Sequence, residues 1–582
     1  MENSSLPEYQ CKPLERLEKP ITMQLPNNHP AAKMIPCTFK EMCLEDFRDE
    51  NTLIYDPITP VPAKEGDPIF SGDFECGNLG QVFRIGENKY EIHLLPDPND
   101  QQTAQWFFFK AENLKPGEYF FMIVGFYRQC NLHWKGSQVC SYSEAAARRG
   151  IGWQRIGDEM NYFKTKSGKF PEWTWTFKFT VEELDNMFFA HSYPYTFTDQ
   201  MNCLGKLQPL CRPSTLCQSL GGIDVPVIFW DAEEQKCVDI EPYMKEAREI
   251  KNTAPEIRVE EISEFDDFTV QTLRKWGRDN PGEGRKYDRK PVIIIAARTH
   301  PGETNSSYAM EGLLQTLFAK NEFGLELRRN FSWLLIPMVN PDGAICGFYR
   351  PSLSGNDINR VWKSPDPLMH PIADNVLKLI EVIQKTRPTP FFLDFHGHTA
   401  ACNSFVYGFM NENNPAIYSA ERVFPLLMTK HTPLFSNEMC SYLKQELYEG
   451  TMRVVIRRRF HIIFAYTLEM SYGGSDFGTR HDTQFTPHDY RSVGEATARC
   501  IADMFLKEGT LASKEVFQLI PPPPQEPINQ YQVDDFSTSL SIDGKVLESE
   551  QTFFRISPHD LSTENPQSVK LSLNQLVRDV EM

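Results

Sequence analysis

Val292-Ile-Ile-Ile-Ala-Ala297 runs straight into Arg298-Thr-His-Pro-Gly-Glu303. Six consecutive apolar residues rich in β-branched side chains predict a strand buried on both faces, as in the middle of an α/β sheet. Polar chemistry begins abruptly at its C-terminal end. Open α/β sheets bind ligands outside the carboxyl ends of their strands, so His300 and Glu303 stand in a Pro-Gly turn where a site is expected. Both side chains can converge on one metal ion. The spacing alone is weak, because a chain with 13 histidines contains about one His-x-x-Glu by chance. A catalytic zinc takes three protein ligands, commonly two His and one Glu, and keeps a fourth position open, so a second histidine is required.

Phe391-Phe-Leu-Asp-Phe-His-Gly-His398 is a second apolar run that turns polar at its C-terminal end. A period of two puts Asp394, His396 and His398 on one face, and either histidine can point at the metal. A lone histidine in such a run is more often a satisfied core residue. Two strands that both end in ligand-type residues favour the metal. Glu469 poses a related question, since it interrupts the apolar run Phe464 to Met470, and burying an unpaired carboxylate is costly without a partner or a task.

The stretches His300 to Ser307, Asn340-Pro-Asp-Gly343, Ser354-Gly-Asn-Asp-Ile-Asn-Arg360, Asp394-Phe-His-Gly-His398 and Tyr466-Thr-Leu-Glu-Met470 follow one another in order. Together they resemble the zinc metallocarboxypeptidases, and in wording the cytosolic carboxypeptidases, whose known members trim glutamates from tubulin tails. The resemblance runs from about residue 70 to about 510. It implies one Zn2+ per chain held by His300, Glu303 and His396, with His398 outside the ligand set. Asp357 would orient the first zinc histidine. Glu469 would be the general base that takes a proton from the attacking water and returns it to the leaving amine. Asn359 and Arg360 would clamp the substrate's C-terminal carboxylate, and Arg350 would polarise the scissile carbonyl. Arg453 matches the basic position that receives a glutamate side chain, and Arg458 has a family counterpart as well. The triplet Arg457 to Arg459 is expected as an exposed basic edge that could hold outer glutamates.

Length and composition bound the rest. A chain of 582 residues suits two or three domains. The start of the sequence has neither a basic leader nor an apolar h-region, and no apolar run approaches the ~20 residues that span a bilayer, so a soluble, cytoplasmic protein is expected. The resemblance adds an expected association with microtubules or cilia. Fourteen cysteines without a Cys-x-x-Cys pair point to reduced thiols. A net charge of −18 argues against nucleic acid and anionic membranes as partners. Acidic protein tails, tubulin's foremost, must then be captured by local basic groups, because exposed charges are screened beyond about 8 Å.

The expected organisation is an N-terminal extension (1–65), an antiparallel β-sandwich (66–196), a mixed-sheet α/β zinc carboxypeptidase domain (197–515) with a charged surface insert at about 231–289, and a Pro-rich exit with a flexible tail (516–582). The aromatic stripe of the second segment reads as core. Two rival functions share these features: a catalytically silent module that binds acidic tails, and an amidohydrolase of small acylated amino acids.

Overall fold

The computed structural model describes residues 33–34, 41–62, 64–98, 104–127, 131–165, 173–250, 266–275, 284–409, 415–442, 448–506 and 510–520. Residues 1–32 and 35–40 of the expected arm lie outside them. So do 251–265 and 276–283 of the charged insert, and everything beyond 520, including the Pro-rich exit and the tail expected to be flexible.

Trp173–Val181 shows why the first half of the chain is a β-sandwich. Trp173, Trp175, Phe177, Phe179 and Val181 point to one side and join a single buried core with Phe107, Phe109, Phe121 and Phe189. The core lies between two sheets. One has seven strands, in the order Glu41–Met42, Asp158–Thr165, Trp173–Val181, Gly117–Phe126, Lys89–His93, Val82–Gly86 and Thr52–Tyr55. The other has five, in the order Ile69–Ser71, Phe108–Leu114, Asp185–Ala190, Val139–Ser143 and Gln154–Ile156. Pairing is antiparallel except that Lys89–His93 runs parallel to Gly117–Phe126, and Glu41–Met42 parallel to Asp158–Thr165. Thr52–Tyr55 and Glu41–Met42 are edge strands drawn from the stretch expected as an extension, too short to carry a readable period.

The second half is an α/β layer structure around an eight-stranded mixed sheet. Its main path runs Ser214–Gln218, Asp224–Asp231, Ser332–Ile336, Val292–Ala297, Phe391–His398, Phe464–Ser471 and Ser404–Tyr407. Val292–Ala297 lies between two parallel neighbours, Ser332–Ile336 and Phe391–His398, and the latter pairs in parallel with Phe464–Ser471. Alternation divides the central strand between two cores. Ile293, Ile295 and Ala297 meet Leu313 and Leu317 of helix Thr304–Leu317 and Val493 and Ile501 of helix Pro487–Phe505. Val292, Ile294 and Ala296 meet Val376 and Ile380 of helix Pro371–Gln384 and Val455 and Ile456 of helix Met452–Phe460. The charged stretch 231–289 differs from a plain surface excursion. It contributes helix Glu241–Glu249, which buries Met244 and Ala247 in one core, and helix Asp267–Lys275, which buries Leu273 in the other.

The helices Thr304–Leu317 and Pro487–Phe505 cross at two glycines. A Cβ on Gly494 would stand 1.9 Å from the carbonyl oxygen of Ala309, and one on Gly312 would stand 2.1 Å from that of Arg491. Backbone oxygens cannot rotate away, so the helices themselves would have to separate. Alanine favours a helix over glycine by about 1 kcal/mol, but overpacking of this kind costs more. Gly494→Ala is expected to destabilise the protein by about 1–3 kcal/mol in a denaturant titration with unchanged slope; equal or greater stability would show that the crossing does not need the glycine.

Candidate active site

The loop after the central strand is folded around a buried arginine. Arg298 takes a left-handed backbone, φ 60°, and its guanidinium donates to the carbonyls of Pro301 (2.7 Å) and Tyr195 (2.9 Å) and to Ser307 Oγ (2.9 Å). These bonds offset the strain of a side chain at positive φ. The turn brings His300 beside Glu303, the residue that precedes helix Thr304–Leu317. The neighbouring strand delivers His396 to the same place, because Ala297 pairs with Phe395 at the carboxyl ends of both strands.

His300, Glu303 and His396 are buried, and each offers a ligand atom within 4.8 Å of the others. Glu303 Oε1 lies 2.7 Å from Nδ1 of His300, and Oε2 lies 2.9 Å from Nδ1 of His396. The far nitrogen of each ring is held by another carboxylate. Nε2 of His300 is 3.1 Å from Asp357 Oδ1, and Nε2 of His396 is 2.6 Å from Asp394 Oδ2. A tautomer in which Nε2 donates to the carboxylate would leave each Nδ1 able to ligate a metal. The charged neighbours act on both groups. Burial alone would raise the Glu303 carboxyl and lower His396, yet the facing histidines hold Glu303 below its ordinary range, while Asp394 and Glu303 hold His396 well above its own. This donor set fits zinc. His398 is committed elsewhere, its Nδ1 accepting from the backbone N–H of Ala401 at 2.8 Å.

Glu469 is the register partner of His396 on the next parallel strand. Burial pushes its carboxyl up to about 8 against the lowering pull of His396, and Oε2 has no partner among the described residues. Arg350 donates from Nε to Asp357 Oδ2 at 2.8 Å, so Asp357 joins Arg350 to His300. Burial opposes charge on Asp357, but Arg350 and His300 outweigh it and hold the acid well below its ordinary value. Asn359 is buried, with Nδ2 3.5 Å from His396 Nε2 and Oδ1 accepting from Met452 N at 2.9 Å. Arg360 lies half-buried, its guanidinium 5.7 Å from the Tyr448 ring.

The basic residues of helix Met452–Phe460 divide by face. Arg453 is 7% exposed, bonds to the carbonyl of Gly408 and leans over Phe409, 5.4 Å from the ring centre. Its Nε has no partner among the described residues, and burial, helped by Arg457, pushes the guanidinium down to about 10. The expected exposed triplet is not exposed. Arg457 faces inward, buried in an ion pair with Glu421 and 4.5 Å from Phe409. Arg458 pairs with Glu449 at 3.3 Å and Arg459 with Glu381 at 2.6 Å. Three successive arginines on a helix spread over most of a turn, so one had to meet the sheet. Sequence reasoning also passed over the contacts of Asp394, Arg298 and Glu421. Asp394 had a signal, two residues before His396 on the same strand face; the other two had none.

Residues 268–497 match the zinc carboxypeptidase (peptidase M14) family. Cytosolic carboxypeptidase 2 of Macaca fascicularis is 34% identical over 451 residues, covering 75% of this chain and 48% of that protein. The human protein of the same name is also 34% identical, over 75% of this chain and 44% of its own length. Cytosolic carboxypeptidase 3 of Mus musculus is 30% identical over 75% and 40%. Residues 268–497 thus form a zinc carboxypeptidase domain. The chain is similar to the cytosolic carboxypeptidases and spans less than half the length of these relatives. The fold matches a metallo-carboxypeptidase from Burkholderia cenocepacia with a TM-score of 0.54 at 18% identity, over 75% of this chain and 98% of that one.

Metal binding separates ligands from the carboxylates behind them. His396→Ala, which removes one of the three candidate ligands, should abolish stoichiometric zinc binding measured by metal analysis after dialysis. Asp394→Asn should still bind one zinc per chain at saturation, with affinity lowered about 10- to 100-fold. Full zinc occupancy in dialysed His396→Ala would remove His396 from the site.

Proposed function

We propose that this chain is a zinc-dependent metallocarboxypeptidase that removes C-terminal glutamates from polyglutamylated or Glu-rich protein tails, with tubulin as the foremost substrate. The hydrolase class is supported by the family and by the convergence of His300, Glu303 and His396. The choice of glutamate rests on one observation, the buried guanidinium of Arg453, whose Nε has no partner among the described residues, beside a second arginine whose charge is met by Glu421. A pocket built this way favours an anion that supplies the missing hydrogen bonds.

Zinc, when bound, supplies Lewis-acid polarisation of the scissile carbonyl. The chain's own residues do the rest. Asn359 and Arg360 receive the terminal carboxylate, which restricts attack to the last peptide bond. Arg350, oriented by Asp357, donates to the carbonyl oxygen as it gains charge. Glu469 takes the proton of the attacking water and hands it to the leaving amine, a task open to a carboxylate that stands beside His396 on the next strand. The relatives named cytosolic carboxypeptidases support work in the cytoplasm, and a tubulin substrate would bring the protein to microtubules or cilia.

Two substitutions test this reading on peptides analysed by mass spectrometry. Glu469→Gln should retain zinc and substrate binding while turnover falls about 10²- to 10⁴-fold; near-normal turnover would place the base elsewhere. Arg453→Leu should lower kcat/KM on glutamate-ended peptides at least about tenfold and spare peptides ending in leucine. An unchanged glutamate-to-leucine ratio would show that another group selects the side chain.

A further inference from the structure

Two consecutive backbone N–H groups in the loop that carries Arg350 end on one carboxylate of the β-sandwich. Asp97 Oδ1 accepts from Tyr349 N at 2.7 Å, and Oδ2 accepts from Arg350 N at 3.0 Å. The acid is buried and sits between Pro96 and Pro98, whose rings restrict the backbone that presents it. The same loop meets the sandwich at backbone level. Cys76 N donates to Ile345 O at 2.9 Å, Asn78 Nδ2 donates to Gly347 O at 3.0 Å, and a Cβ on Gly347 would stand 2.2 Å from Gly77 O.

From this anchor two paths lead to the metal ligands. Tyr349 O accepts from Gly302 N at 2.8 Å, inside the turn that carries His300 and Glu303. Arg350 reaches Asp357 through Nε at 2.8 Å, and Asp357 holds His300 at 3.1 Å. We infer that Asp97 is a positioning residue: a carboxylate of the N-terminal sandwich that sets the backbone of Arg350, and through it the Asp357–His300 pair. A single acid that binds both N–H groups fixes the direction in which the Arg350 side chain leaves the loop, and small misplacements of a charge-stabilising group are costly to rate. The sandwich is then part of the catalytic apparatus, and residues 268–497 alone lack the acceptor. The kinetic part of the inference rests on the carboxypeptidase reading; the structural part does not.

The test uses the full chain with Asp97→Ala, Asp97→Asn, Arg350→Ala and the double variant Asp97→Ala/Arg350→Ala. Hydrogen–deuterium exchange across 345–352 should quicken at least about tenfold in Asp97→Ala, with strands Val292–Ala297 and Phe391–His398 unchanged. On a glutamate-ended peptide kcat should fall at least about tenfold with KM within about threefold, and Asp97→Asn, which keeps one acceptor oxygen, should lie between. In the Arg350→Ala background the loss of Asp97 should change kcat less than about twofold, because the group it positions is gone. Unchanged exchange, or a kcat loss undiminished by Arg350→Ala, would overturn the inference. If Asp97→Ala does not fold, Asp97→Asn decides by the same two readouts. A wild-type chain that cleaves no C-terminal residue would overturn the carboxypeptidase reading, and the exchange measurement would still decide whether Asp97 holds the loop.

Discussion

The carboxylate of Glu303, shared between the Nδ1 atoms of His300 and His396, is the interaction on which the second half of the molecule depends. Burying a carboxylate between two imidazoles is costly unless positive charge lies beside it, so the three side chains stay together where the backbone holds them. Two adjacent parallel strands provide that constraint by ending side by side. Gly397 tightens it, since its N–H donates to Glu303 Oε2 at 2.9 Å and any Cβ there would meet Asn305 Oδ1 at 2.3 Å. Asn305 is itself tied to the third strand through Met470 O at 2.7 Å. Ligand geometry, strand order and helix start are thus one system.

How far this was legible in the sequence follows from the range of each signal. The buried strands announced themselves through β-branched runs, and their alternation translates into the two cores on either side of the sheet. Ligand types gathered at strand ends pointed to His300 and Glu303 and left His396 and His398 open, and the resemblance chose His396. The β-sandwich was readable from aromatic alternation in Trp173–Val181, whereas its short edge strands Glu41–Met42 and Thr52–Tyr55 were not. Contacts between residues far apart in the chain left no local trace. Arg298 reaches back to Tyr195, Asp97 reaches forward to Tyr349 and Arg350, and Arg457 finds Glu421. The same holds for the face of a helix: Arg457 to Arg459 look alike in sequence, and only the direction of helix Met452–Phe460 decides which is buried.

Electrostatics show why the formal charge of −18 says little about what the cleft holds. Beyond about 8 Å the surface carboxylates are screened, while inside the cleft a few groups act through a low dielectric. There Arg453 and Arg457 stand beside one ring, Phe409, and Glu421 answers Arg457. Arg453 keeps a donor without a partner among the described residues. Leaving a charged donor partly unsatisfied is costly, and on the proposed function a glutamate carboxylate would recover that cost by supplying an acceptor that the described residues do not. On the same reading the site would discriminate, since an apolar side chain there would leave the guanidinium buried and still unsatisfied.

On the proposed function, the buried Arg453 and the Asp97 contact place opposite demands on the structure. A selective pocket tolerates an unmet donor, because the ligand completes it. A group that stabilises developing charge must instead be oriented before the substrate arrives, so that no reorganisation accompanies the reaction. Arg350 meets that demand on both sides: its side chain is fixed by Asp357, and its backbone by Asp97. The acceptor for its N–H comes from another layer of the molecule, where prolines 96 and 98 restrict the backbone on either side of Asp97. On the proposed function, the donor of Arg453 that has no partner among the described residues stands where the substrate's variable side chain would go, and the oriented Arg350 stands where its reacting bond would lie.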